Sequence, residues 1–167
     1  MANLDELFDY KNRIMQDMMT NESIVKLINE NYTLENAGEL IYKQVFPFEY
    51  IPDTVEEGHT FVCVDVDLLN YDSKTFYYPV LYVWEFTHKT KLRLPEGGVR
   101  TDKLASEIAR AINGSRYYGL GELNLSQIKR FAPIVDFNGK AMVFHAKDYN
   151  RPYDGKKSIP ANRKDWQ

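Results

Sequence analysis

The segment Thr60 to Leu68 alternates strictly: Val62, Val64, Val66 and Leu68 fall on one side, and Phe61, Cys63, Asp65 and Asp67 on the other. Successive side chains of an extended chain point to opposite faces, so a period of two predicts a strand with one face in a core. A second run, Thr75 to His88, places Val80, Tyr82, Trp84 and Phe86 on one face and Leu81, Val83, Glu85 and Thr87 on the other. The turn material between them, Asn70-Tyr71-Asp72-Ser73, is too short for a parallel crossover. The pair is therefore expected to be an antiparallel hairpin.

The rest of the chain is read around that hairpin. Leu4, Leu7, Phe8, Ile14, Met15, Met18 and Met19 recur at helical spacing, predicting an amphipathic helix over about residues 4 to 19. Asn21 is placed to cap a second, short helix carrying Ile24, Val25, Leu27 and Ile28, which should end near Asn29 to Tyr32. Leu40 to Val45 reads as a short strand. Phe46-Pro47-Phe48-Glu49-Tyr50-Ile51-Pro52-Asp53 has two prolines among aromatics, so it is an ordered aromatic loop or edge. Lys89 to Gly98, with three bases, a proline and two glycines, reads as a mobile loop leaving the sheet. Thr101 is the expected cap of a helix whose face is Leu104, Ile108 and Ile112, closed by Gly114. Leu123 and Leu125 begin another strand, which Pro133 confines to an edge or a break. Gly139 starts a further one, with Met142, Phe144 and Ala146 opposite in face to Ala141, Val143 and His145. The fold class is α+β: a mainly antiparallel sheet of four to five strands, flanked by N-terminal helices and one middle helix. Residues 1–150 are expected to form a single domain and residues 151–167 an extended basic C-terminal arm.

An apolar fraction of 44% with 27% charged residues belongs to a folded chain, and the 14% aromatic share suits interfaces as well as cores. The single cysteine, Cys63, lies in an apolar run and has no partner for an internal disulfide. No basic-then-apolar leader opens the sequence, and no apolar run approaches the roughly 18 to 20 residues of a membrane span. Neither standard secretion nor membrane insertion is expected. Charge is split along the chain. Residues 1–60 hold twelve acids against four bases, residues 61–150 ten against twelve, and residues 151–167 two against five. On charge alone such an acidic front and basic back read first as an ordinary solvated surface, and second as a head-to-tail ring in which the front of one copy meets the back of the next.

No constellation of residues commits the chain to catalysis. His59, His88 and His145 are far apart and, with one cysteine, make no zinc pattern. Asp65, Asp67 and Glu85 are three strand carboxylates that can converge as in a metal-dependent nuclease, although the Glu-x-Lys spacing such a site uses is absent: Glu85 is followed by Phe86-Thr87, and the lysine is displaced to Lys89. Gly114-Ser-Arg-Tyr-Tyr-Gly-Leu-Gly121 follows a helix and precedes a strand, the reverse of a phosphate-binding loop. The basic set Lys89, Lys91, Arg93 and Arg100 permits a passing contact with phosphates, but an acidic protein with one basic loop is a poor general DNA binder. No catalytic residue, cofactor or metal is expected.

The order of features carries a resemblance. A short N-terminal helical segment, Val45-Phe-Pro-Phe-Glu-Tyr-Ile-Pro-Asp53, a strand hairpin, Gly97-Gly-Val-Arg-Thr-Asp102 opening a helix, and Phe137-Asn-Gly139 before the final strand resemble small neck proteins of tailed bacteriophages, most of all the tail terminator, or tail-completion, group. The likeness spans about residues 20 to 150 and includes no catalytic motif. It implies a virion protein assembled as a ring, expected to be hexameric, that ends the tail tube and joins it to the head. The implied partners are further copies of the chain, the tail tube protein and neck or connector proteins, with transient luminal DNA contact and no membrane. The implied location is the host cytoplasm during assembly and then the virion. The long arm departs from the compact pattern, so a head-side stopper or adaptor is the neighbouring alternative; a metal-dependent nuclease and a monomeric small-ligand module are the readings from other classes. Candidate interface residues are Phe46, Phe48 and Tyr50 of the aromatic loop, Lys89, Lys91 and Arg93 of the basic loop, and Tyr153, Ile159 and Trp166 of the arm.

Overall fold

The computed structural model describes residues 4–52, 58–69 and 78–146. The turn at 70–73, the start of the second hairpin strand at 75–77, and the arm at 151–167 lie outside the described residues. Within them the helices are α1 (Leu7–Met19), α2 (Glu22–Ile28) and α3 (Arg100–Ile112), and the strands are β1 (Val45–Phe46), β2 (Thr60–Leu69), β3 (Tyr78–His88), β4 (Leu123–Phe131) and β5 (Phe137–Ala146). The fold is α+β, as the periodicities predict.

The strands form one sheet in the order β1-β2-β3-β5-β4, antiparallel except for the β1–β2 pair. β3 lies at its centre, between its hairpin partner β2 and the distant β5. α3 carries the chain from β3 to the far edge, and β5 then returns between them. Register places Val62 opposite Glu85 and Asp65 opposite Tyr82. In a pleated sheet directly opposed residues share a face, so the faces follow from these pairs.

One face bears the helices. Val62, Val64, Val66, Leu81, Val83, Met142 and Phe144 pack there with Ile14, Met18, Ile24, Leu104 and Ile108, all buried. α1 lies chiefly over β2, and α3 over β3 and β5. Among the described residues the other face has no α-helix. It carries an aromatic cluster of Phe46, Phe61, Phe86 and Phe137 with Cys63, flanked by Tyr50, Trp84, Phe131 and Ile134.

Local chemistry explains most element ends. The Asn21 side chain accepts the Ile24 N–H at 3.2 Å and starts α2 as predicted. Gly114, at φ +80°, follows α3 in the left-handed conformation that ends helices. Three expectations are corrected. Leu40 to Val45 is no strand: Ala37–Leu40 is a 3-10 turn and only Val45–Phe46 pairs in the sheet. The buried Gln44 explains this, because its amide reaches across to the Thr60 carbonyl at 2.9 Å and accepts from Asn29 at 2.7 Å, tying the segment to its neighbours by a side chain. Thr101 is not the cap of α3; Val99 holds that position without a side-chain bond, and Thr101 is buried in the first turn. The loop after β3 is anchored rather than free: Lys89–Lys91 form a 3-10 turn, and Leu94 is buried against the helical core.

Candidate interaction surfaces

The aromatic loop is positioned by the sheet edge it continues. β1 ends at Phe46, whose ring stacks on Tyr50 (centroids 4.1 Å apart, planes 14° apart) and packs on Phe61. Phe61 in turn meets Phe86 and Phe137 across the strands. The Tyr50 N–H is within 3.4 Å of the Cys63 sulfur. Burial pushes that thiol up to about 12, so it packs as a small apolar group and is not a nucleophile at neutral pH. Of the predicted loop residues, Phe46 is buried and Tyr50 half-buried, while Phe48 stays exposed, as do Ile51 and, on the β4–β5 turn, Val135. The uncovered side of the sheet thus has an aromatic interior and an apolar rim.

The predicted basic set is divided by its partners. Lys89 pairs with Asp136 at 2.8 Å and Lys91 with Glu30 at 3.1 Å, both at the surface, where such pairs contribute about 0–1 kcal/mol. Arg93 is exposed and has no ion pair among the described residues. Arg100 is buried and serves the fold. Its Nε donates to the Lys91 carbonyl and its Nη1 to the Leu27 carbonyl, each at 2.9 Å, the latter satisfying an end group of α2. The cleft of ≈ 250 Å³ beside it, lined by Asn29, His59 and Lys91 among others, has as one wall a guanidinium already engaged by two carbonyls. Tyr153, Ile159 and Trp166 lie outside the described residues.

The three nuclease-type carboxylates do not converge. Asp65 and Asp67 belong to the aromatic face, where Asp65 meets the Lys11 ammonium at 2.6 Å. Glu85 belongs to the opposite face, in line with Leu81 and Val83, and is fully buried under the helical layer. Among the described residues no group of three or more His, Cys, Asp or Glu side chains is arranged to hold a metal ion.

Sequence reasoning passed over two buried polar groups. Among the described residues no donor meets either carboxyl oxygen of Glu85 in good hydrogen-bond geometry. Loss of water pushes its carboxyl well above the usual glutamate range; the Lys140 backbone and ammonium offset part of this and Asp102 adds to it. His88 places Nδ1 2.9 Å from the Thr90 hydroxyl and leaves Nε2 buried without a partner among the described residues. Its ring meets Phe137 edge-on at 5.2 Å between centroids. Apolar surface elsewhere includes Phe8 on α1, Tyr117 before β4, and Ile128 on β4.

Among the described residues no helix is long and apolar enough to cross a membrane. A family model described as YomW matches residues 21–146. Among solved structures, a chain from the virion of a native gene transfer agent particle is similar at 16% identity and a TM-score of 0.49, with 82% of this chain and 92% of that chain covered. A search of curated proteins gives no match.

Proposed function

The chain belongs to the YomW family, and from that premise we propose that it is a structural protein of a phage or phage-derived particle, a subunit of a closed ring that terminates the tail tube and joins it to the head. The observation that carries this reading is the helix-free face of the sheet. Among the described residues its aromatic cluster is covered by the 46–52 segment, which leaves Phe48 and Ile51 exposed, with Val135 on the turn of the opposite hairpin. Exposed apolar groups around a rigid aromatic base are what a subunit needs to dock on other proteins.

The order of elements that resembles tail terminators gives the assembly its expected form, and the charge split along the chain fits contacts between unlike surfaces. Further copies of the chain would be its lateral neighbours, with the tail tube protein below and connector proteins above. The basic C-terminal segment, residues 151–167, would lie on an adjacent protein as an arm. The separation of Asp65 and Asp67 from Glu85 argues against the nuclease alternative, because hydrolysis through a shared metal needs all three on one face.

Imaging of assembled particles tests the proposal directly. A ring of several copies at the junction of tail and head is expected. One copy per particle, or a location on the head side of the connector, would overturn the terminator assignment.

A further inference from the structure

The helical layer stops short of one edge of the sheet. β4 is the edge strand, and its first residues are closed off: the Leu123 N–H donates to the Ser115 carbonyl at 3.0 Å, and the Leu125 N–H to the Asn113 side chain at 2.7 Å. Beyond the irregularity between Leu125 and Gln127 that cover ends. Ile128 is paired with Met142, so it faces the helical side, yet it is 47% exposed while Met142 is 1% exposed. Arg130, opposite Lys140, follows on the same face, exposed and without an ion pair among the described residues, whereas Lys129, opposite Ala141, points to the other face. The result is an uncovered apolar notch at Ile128 on the sheet edge, with one uncompensated cation, Arg130, two residues along on the same face.

The opposite chemistry stands on α1. Phe8 is 66% exposed on a helix whose other large apolar residues face the core. Asp9, next to it on the helix, is exposed as well. α1 lies chiefly over β2, which β3 and β5 separate from β4 in the sheet. An apolar knob beside an acid and an apolar notch beside a base thus occupy different places on one molecule, which is the arrangement a head-to-tail contact requires.

Resting on the ring reading above, we infer that the start of α1 of one copy docks on the β4 notch of the next, Phe8 covering Ile128 while Asp9 faces Arg130. The contact extends the helical layer across the subunit boundary. A helix end is chosen over a strand because the uncovered side chain, Ile128, points to the helical face rather than along the sheet edge. Asp9 and Arg130 fix its direction, since a knob meeting a knob brings like charges together.

Cysteine pairing tests this in the full-length protein, where the buried Cys63 gives a quiet background. Phe8→Cys with Ile128→Cys is expected to give a ladder of disulfide-linked multimers under oxidation, and neither single variant should. Asp9→Lys should weaken assembly about tenfold, and Arg130→Glu added to it should restore most of the loss. Closed rings that form without the Phe8–Ile128 cross-link, or charge reversals that leave assembly unchanged, overturn the inference while the ring reading stands. A chain that stays monomeric when concentrated and is present once per particle overturns both. Protection of a cysteine at position 128 in the monomer, relieved by deleting residues 151–167, would place the chain's own C-terminal segment on the notch and overturn the inference as well.

Discussion

A Cβ atom on Gly139 would stand 1.7 Å from the backbone oxygen of Glu85. β5 approaches β3 so closely at this register position, where Gly139 faces Phe86, that no side chain fits without parting the two strands. Gly139→Ala is therefore expected to destabilise the fold by about 3 kcal/mol or more, above the common cost of overpacking because the obstacle is backbone. Urea unfolding of the variant beside the wild type measures it. An unchanged midpoint would show that the strands can separate at little cost.

Glu85 makes stability depend on pH in a stated direction. Its folded pKa is raised above the unfolded value near 4.5 by burial, so its favourable contribution is complete below that value and is lost as pH rises through the folded pKa. Glu85→Gln removes the titration. The variant and the wild type should unfold at similar urea concentrations near pH 4, and the variant should be the more stable at pH 7 to 8. Equal midpoints across the range would place a compensating donor on the carboxylate.

Arg100 holds the end of α2 and the turn at Lys91 by two hydrogen bonds to carbonyls. Charge-assisted bonds of this kind contribute about 1.5–3 kcal/mol each before relaxation. Arg100→Ala should cost about 3 kcal/mol, and Arg100→Lys should recover only part of it, because an ammonium cannot span both carbonyls in the planar geometry of a guanidinium. Thermal unfolding distinguishes the two. Full rescue by lysine would mean that charge alone matters.

Phe61 joins the loop aromatics to those of β3 and β5, touching Phe46, Tyr50, Phe86 and Phe137. Phe61→Ala should destabilise by about 3–5 kcal/mol. Phe48→Ser, at the exposed rim, should change stability by less than about 0.5 kcal/mol yet reduce incorporation into particles. If the rim variant assembles normally, the aromatic loop is not an interface.

Deleting residues 151–167 should leave the thermal midpoint nearly unchanged and weaken assembly. Tyr153, Ile159 and Trp166 would carry most of that effect as knobs, with Lys156, Lys157, Arg163 and Lys164 setting its salt sensitivity. Truncated protein that builds particles at normal yield would remove the arm from the assembly account.

The strands were legible because alternation in β2, β3 and β5 leaves one consistent pair of faces, and the Asn21 cap because its side chain acts on its own next turn. What escaped depends on partners remote in sequence. The basic loop looks free until Asp136 and Glu30 are brought beside Lys89 and Lys91. Arg100 looks like a surface cation because the groups it bonds are carbonyls, which no residue letter announces. The carboxylate question turned on register: alternation put Glu85 with Leu81 and Val83, but only the pairing of Val62 with Glu85 shows that this is the side away from Asp65 and Asp67. The notch at Ile128 was equally hidden, since the reach of α3 over the sheet is set by packing and not by the composition of β4.

The placement of β5 between β3 and β4 has a kinetic consequence. The central strand can find β2 by closing a short hairpin, but its other neighbour is made only after α3 and β4 have followed it in the chain. Pairing Val80 with His145 and His88 with Phe137 joins segments separated by that whole intervening passage, and the entropy of closing it must be met before the contacts return anything. The β4–β5 hairpin, itself local, is the natural unit to dock in one step. Until it does, one edge of β3 stands open, so the interval before docking is when nascent chains are most exposed to pairing with one another.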